Sequence, residues 1–565
     1  MASPNANFEV HVQRDGRWVM QTIYSSEEEA KAAAVRLFSD KKCEGAKVVR
    51  NWMRADGRMV ENEVYCETRT IKDDGPVRIV QIDAAPAKCE EPDEFFALNS
   101  RMTMNRVFRT YFDKAFLTPT EVMHNARELK RLQDKDTLLP SAIDRVAFLQ
   151  TREGDQDSKS RRDEIFKNVE DMAKRARKVD SLALPKMQGC FSETLHAIDD
   201  AAIDEKRDYL ALVVLSRDLI NVRNWVGKLE RLCKLAVAEP DAEALTLLDG
   251  VIADVLGSNV VQEVLGFQPG LGQAIITMFD LADGRMLTEK SDACESAEML
   301  NRLFGAHKLP ASRACLIDRA HRQLRSNSPL YRNDPTKEEG EFKRVLARLV
   351  GTGGFHSGAE TAEALTTRYT RMLEQGGAAA RRAAIAAVFR ALPDRALGIL
   401  YLCEMAKTEI ADEHADDLAE QFDLVFRERT VGEMCLRTLA PKDRMLRITA
   451  AHRALSASPY PATLKDKVLD HLDNILDKYV VEEKIVEKLD NPEAHLRERA
   501  QRLVQFCAAG VLPEGKALSR ARARIVAMLR QPNFEAHLID GIADPGLAQK
   551  TLRDFHLLLV KAGFG

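Results

Sequence analysis

A chain of 565 residues is longer than one ordinary hydrophobic core serves, which predicts two to four domains. Hydrophobic residues make up 45% and charged residues 30%, so the chain has enough apolar surface to fold and is not disordered as a whole. The 83 basic and 87 acidic side chains nearly cancel, to a net charge of -4, which excludes a general attraction to nucleic acid or anionic membrane and leaves only local patches to provide one.

Met1 to Asn7 lacks the basic and then apolar run of a signal peptide. The longest apolar stretches, Leu210 to Leu215 and Ala396 to Cys403, fall far short of the roughly 20 residues that span a bilayer. The ten cysteines stand singly between Cys43 and Cys507, and Cys233, Cys315, Cys403, Cys435 and Cys507 lie in apolar helical runs. That is the usage of buried thiols in a reducing compartment, and the chain is expected to be cytoplasmic.

Residues 1–83 predict a small α+β module. Phe8, Val10 and Val12 alternate with polar residues, Asp15-Gly16 supplies a turn, and Trp18, Met20, Thr22 and Tyr24 alternate again, which reads as a hairpin with Trp18 packed on the sheet. Ser26-x-x-Glu29 is a capping box for a helix whose apolar face is Ala30, Ala33, Ala34, Leu37 and Phe38. A second hairpin follows, with Val48, Arg50 and Trp52 before Asp56-Gly57 and Val60, Asn62, Val64 and Cys66 after it. Val77, Ile79 and Ile82 suggest a fifth strand.

Residues 84–94, with Pro86 and Pro92, have linker composition. Nearly everything from Phe95 onward is predicted helical, divided into one region over 95–330 and another over 331–565. Thr118-Pro119-Thr120-Glu121 combines a Thr cap, Pro at the first helical position and Glu three residues after the cap, and predicts an exposed helix start. Thr151 to Arg162 reads as a mobile polar loop, and Ser326 to Asp334 as the break between the helical regions. Gly266 to Gly272 and Gly351 to Gly358 read as glycine-rich connectors, because neither has the lysine and hydroxyl of a phosphate-binding loop.

Two Glu-x-x-His pairs, Glu121 with His124 and Glu193 with His196, place a carboxylate and an imidazole on one helical face, as dimetal bundles do. The partner carboxylates such a centre needs are not evident, so no metal and no cofactor is expected. The histidines read as surface or half-buried side chains, and Glu193, His196 and Asp200 are the face a metal-dependent enzyme would use. His414 among Asp412, Glu413, Asp416 and Asp417 reads as a solvated helix face.

Near the C-terminal end a pattern recurs. Phe422, Asp423, Val425, Phe426, Val431, Cys435, Leu436 and Leu439 align at a constant offset with Leu472, Asp473, Ile475, Leu476, Val481, Ile485, Val486 and Leu489. A looser copy runs from Ile525 and Val526 to Leu538, Ile539 and Ile542, and an echo sits at Leu248 to Leu265. In architecture this resembles helical-repeat proteins, and the expected fold is mainly α: a HEAT-like array of helical hairpins preceded by the α+β module.

Lys516, Arg520 and Arg524 recur every four residues opposite Leu518, Ile525 and Leu529, with Arg522, Arg530, Arg497, Arg499 and Arg502 nearby. The resulting expectation is a non-enzymatic interaction or regulatory scaffold that meets an acidic protein partner through Lys516, Arg520 and Arg524. The alternatives are a metal-dependent protein using Glu193, His196 and Asp200, and nucleic-acid binding through the basic stripe.

Overall fold

The computed structural model describes residues 7–14, 17–39, 45–53, 59–68 and 77–564, apart from 136, 153, 155, 333, 352, 374 and 375. The Asp15-Gly16 and Asp56-Gly57 turns lie outside these residues. The chain divides into two units, Met1–Val77 and Arg78–Gly565.

In the first unit β1 (Asn7–Arg14), β2 (Arg17–Tyr24), α1 (Glu27–Ser39), β3 (Gly45–Met53) and β4 (Met59–Thr68) follow the predicted order. The strands form one antiparallel sheet in the order β2-β1-β3-β4. Period-two alternation brings Phe8, Val10, Val12, Ala46 and Val48 to one face, where Ala30 and Ala34 of α1 close the core over them. A register shift between Val10 and His11 changes what the alternation in β2 means: Val10 pairs with Thr22, but His11 pairs with Met20, so Gln21 is the extra residue of a bulge. Trp18 and Met20 therefore turn to the face away from Thr22 and Tyr24. Trp18 is half-buried beneath the Lys47 ammonium, 5.0 Å from its ring, and is not the core residue expected of it.

The expected fifth strand does not form. Residues 78–82 run extended within the second unit, where Val80 N–H donates to the Val107 carbonyl (2.9 Å) and the Ile82 carbonyl accepts from Arg145 Nε (2.9 Å). Two hydrogen bonds to helical residues satisfy backbone that a sheet edge would otherwise have paired. The predicted linker is tied down as well, since Gln150 Nε2 donates to the carbonyls of Pro86 (2.9 Å) and Ala87 (3.3 Å).

Among the described residues the second unit is helical apart from a short ribbon, Val350–Gly351 against Gly354–Phe355. Asp157 accepts from Ser160 N–H (3.2 Å) and starts the helix Ser158–Asp180, so the second half of the expected mobile loop is the helix's first turn. Across the expected break at 330 the apolar core is continuous, with Leu324, Leu330, Phe342 and Val345 in one cluster. Gly270 allows the close approach there: a Cβ at that position would lie 2.5 Å from the Leu330 carbonyl oxygen. The Gly351 to Gly358 segment is anchored, because Phe355 packs near Tyr401 and the His356 ring meets Phe279 edge-on at 4.7 Å.

A subset of the helices, separated by others in the chain, packs one on the next in chain order. Ala242–Leu256 packs on Pro310–Leu324, that helix on Ala359–Met372, that on Arg395–Met405, and that on Pro441–Ser456. The aligned stretches at 422 and 472 share only two buried pairs, Phe422 with Leu472 and Val425 with Ile475, and Phe422 opens the four-residue helix Phe422–Val425 whereas Leu472 lies inside Ala462–Glu482. Their secondary structures therefore differ. No helix among the described residues is long and apolar enough to cross a membrane.

Candidate anion-binding groove

Three helices of the second unit are locked together by buried polar contacts. Arg101, on Leu98–Val107, donates through Nη1 to Asp254 Oδ2 (2.8 Å) and to Thr120 Oγ1 (2.6 Å), and Asp254 belongs to Ala242–Leu256. Burial pushes the Asp254 carboxyl up, and the Arg101 guanidinium opposes that shift. One helical turn earlier Asp249 accepts from the free backbone N–H groups of Ala311 (2.7 Å) and Ser312 (2.8 Å), which pins the N-terminus of Pro310–Leu324 to the same helix. Although among the described residues Arg101 Nε and Asp254 Oδ1 are themselves left without a hydrogen-bond partner, these buried contacts hold the helices that border the groove.

What lies between them is a groove of about 920 Å³ lined by six arginines: Arg106, Arg109, Arg319, Arg322, Arg325 and Arg371. Asp83 and Asp318 are the acidic side chains of its lining. Arg109 is paired with Asp113 (2.6 Å), Arg322 with Asp318 (2.9 Å) and Arg325 with Glu363 (2.6 Å). The other three have no carboxylate partner among the described residues. Arg319 Nη1 donates to the carbonyls of Leu256 (3.2 Å) and Ser258 (2.7 Å), covering the open C-terminal end of Ala242–Leu256. Arg106 reaches the Met102 carbonyl through Nε (3.3 Å) and Thr103 Oγ1 through Nη2 (3.5 Å).

The electrostatics record this crowding. Burial, then the Arg109 charge, pushes the Arg319 guanidinium down to about 10. Arg106 is lowered by burial and then by Arg322, and Arg371 by burial and then by Arg368 and Arg381. Each of these cations is held in a field that an anion would relieve, and a guanidinium offers planar paired donors suited to carboxylate or phosphate.

The predicted stripe is arranged differently. Lys516 Nζ donates to Asp470 Oδ1 (2.7 Å) and Asn474 Oδ1 (2.6 Å), and Arg520 makes a two-pronged contact with Asp477 (2.9 Å for each bond). Arg524 pairs with Asp490, which Arg499 Nε also reaches at 2.8 Å. The neighbouring acidic side chains neutralise the stripe, so it does not present the free positive row its spacing suggested.

Of the Glu-x-x-His pairs, the first is not at an exposed helix start. Glu121 and His124 are buried, with Glu121 closing the capping box to Thr118 and pairing with Lys228. Glu193, His196 and Asp200 are exposed on Phe191–Asp200, and Glu193 Oε2 accepts from Cys190 N–H (3.3 Å). Among the described residues no group of three or more His, Cys, Asp or Glu side chains is placed to hold a metal ion. Around His414 the solvated-face reading holds for Asp412, Glu413 and Asp416, but His414 and Asp417 are buried and in contact at 2.7 Å.

A sequence signal for the groove existed in Arg319, Arg322 and Arg325, spaced by threes along one helix. That spacing alone does not distinguish a neutralised face from an open one, and Arg106 and Arg371 join the cluster only through the fold. No protein-family model matches the chain, and neither a curated protein nor a solved structure matches it.

Proposed function

We propose that this protein is a non-enzymatic interaction scaffold whose stacked helices form a repeat-type platform, and that it captures an acidic segment of a protein partner in the arginine-lined groove. The observation that carries the reading is the contrast between two basic surfaces. The cations of the C-terminal stripe are each ion-paired, whereas among the described residues Arg106 and Arg319 of the groove hydrogen-bond to no carboxylate, although Asp83 and Asp318 also line it. Helices pinned by Asp249 and Asp254 hold those charges in place before binding, which lowers the ordering cost of association. The in-order packing of that subset of helices supports the platform part of the reading.

The test is fluorescence anisotropy with a labelled glutamate-rich peptide, on the full chain and on Arg106→Glu/Arg371→Glu. The double variant is expected to weaken binding by roughly tenfold or more, with affinity falling steeply as salt rises. Lys516→Glu is expected to leave the affinity unchanged. Equal peptide affinity in native and double-variant protein rejects the groove. Tighter capture of a single-stranded oligonucleotide than of the peptide, lost in the same variant, transfers the groove to nucleic acid.

A further inference from the structure

On the other side of the helix Leu98–Val107 is a second, chemically opposite space. An apolar pocket of about 130 Å³, open on one side, is lined by that helix, Ala126–Gln133, Leu138–Thr151 and Ser158–Asp180, with Met123 and the 86–89 segment completing its wall. Its surface is apolar, built from side chains such as Met104, Phe108, Leu132, Ala142, Ile143 and Met172. Protein interiors rarely leave space larger than a water molecule, and an empty apolar cavity of this size lowers stability.

The polar side chains in the wall are turned to other tasks. Ser100 Oγ donates to the Glu94 carbonyl (2.9 Å) and Thr103 Oγ1 to the Asn99 carbonyl (3.0 Å). Gln150 donates to Pro86 and accepts from Arg161 Nε (2.9 Å), and Arg161 Nη1 also reaches Glu164 (2.9 Å). A water in the cavity needs two to four polar partners, and these groups already have theirs. The lining methionines can reshape around different apolar contents.

We propose that this cavity is a binding site for a small neutral apolar group, a single aromatic ring or a short alkyl chain. The volume sets the size, being close to that of apolar cavities that admit benzene, and too small for a peptide helix. The apolar surface sets the polarity, with Arg161 and Gln150 of the wall engaged with each other and with Glu164, which favours an uncharged ligand. In this wall the 86–89 segment is partly exposed, and there Gln150 holds the Pro86 carbonyl and Cys89 Sγ lies 3.3 Å from Ser100 Oγ. This site is independent of the groove reading, because an uncharged ligand gains nothing from the arginines.

The experiment uses the full chain and fluorobenzene, a single neutral ring followed by its fluorine resonance, displaced by straight-chain alcohols of increasing length. Saturable one-site binding is expected, with each added methylene tightening the alcohol about fourfold until the cavity is filled. Ala142→Leu fills the space and is expected to weaken fluorobenzene by at least roughly tenfold, while glutamate-rich peptide binding is unchanged. Should that variant not fold, the native protein still decides: saturating fluorobenzene is expected to slow alkylation of Cys89, which borders the cavity, and not of the exposed Cys294. Absence of saturable binding, unchanged affinity in folded Ala142→Leu, or unaltered Cys89 alkylation overturns the proposal.

Discussion

Lys228 Nζ donates to Glu121 Oε1 with both side chains wholly shut off from solvent. The same carboxylate accepts from Thr118 N–H (2.8 Å) and Thr118 Oγ (2.9 Å), so a helix cap and a buried ion pair share one group. Burial pushes the Glu121 carboxyl up and the Lys228 ammonium down, and the pair is what offsets both. Lys228→Met strands the carboxylate and is expected to cost about 3–5 kcal/mol, whereas Lys228→Met with Glu121→Gln should cost clearly less than the two single changes added together. Urea titrations of the three variants measure this, and strict additivity would show that the two side chains do not act as a pair.

Two buried histidines make stability depend on pH. His124 donates from Nδ1 to the Thr120 carbonyl (2.8 Å), and burial holds its imidazole down at about 3; burial, then Arg325, holds His321 at about 4. In the unfolded chain both titrate near about 6.5, so below that pH the unfolded state binds more protons. Their contribution is complete above about 6.5 and declines as pH falls, toward about 3 for His124 and about 4 for His321, by up to about 1.4 kcal/mol per pH unit each. Between pH 7 and 5, His124→Phe should flatten the curve by its own share while keeping the ring contact with Tyr209. An unchanged slope in that variant would mean that His124 is already accessible to protons.

Local signals were legible in the sequence, and distant ones were not. The box at Thr118 to Glu121 is readable because its geometry involves four consecutive residues, but its burial depends on Lys228 and Asp254, more than a hundred residues away. The strands of the first unit follow from alternation, yet the bulge at Gln21 leaves no mark in the pattern and reverses the side on which Trp18 and Met20 stand. The stripe at Lys516 to Arg524 is a correct account of one helix face. Its neutralisation comes from Asp470, Asp477 and Asp490, which lie on other segments. The groove combines residues near 106, 319 and 371, so no single window contains it.

Within the stripe the three positions should respond unequally. Asp490 is buried and takes both Arg499 and Arg524, while Asp470 and its partner Lys516 are exposed. Asp490→Ala leaves two guanidinium groups without their shared acceptor and is expected to cost about 3 kcal/mol. Lys516→Ala should leave the melting temperature nearly unchanged, since exposed pairs contribute little and are screened by salt. Thermal melts of both variants test the ranking, and a larger drop for Lys516→Ala would reverse it.

The first unit should fold on its own when the chain is cut after Val77, six residues earlier than the sequence pattern placed the boundary at Asp83. The reason lies in Ile82, which is buried and whose carbonyl is held by Arg145 of the helical unit. The core of the first unit closes within itself, with Val10, Val48, Ala30 and Ala34 fully buried. A fragment of Met1 to Val77 is expected to show mixed α and β circular dichroism and one cooperative thermal transition. Within it Val48→Ala removes fully buried methyl groups from the face that α1 covers, and should cost about 2 kcal/mol. Trp18→Ala should cost less than Val48→Ala despite its larger volume loss, because the bulge turns Trp18 to the face opposite α1 and leaves it half-buried beneath Lys47. If Trp18→Ala proves the more damaging change, the register of β2 against β1 is not the one described. A fragment without a cooperative transition would show that this core needs the rest of the chain.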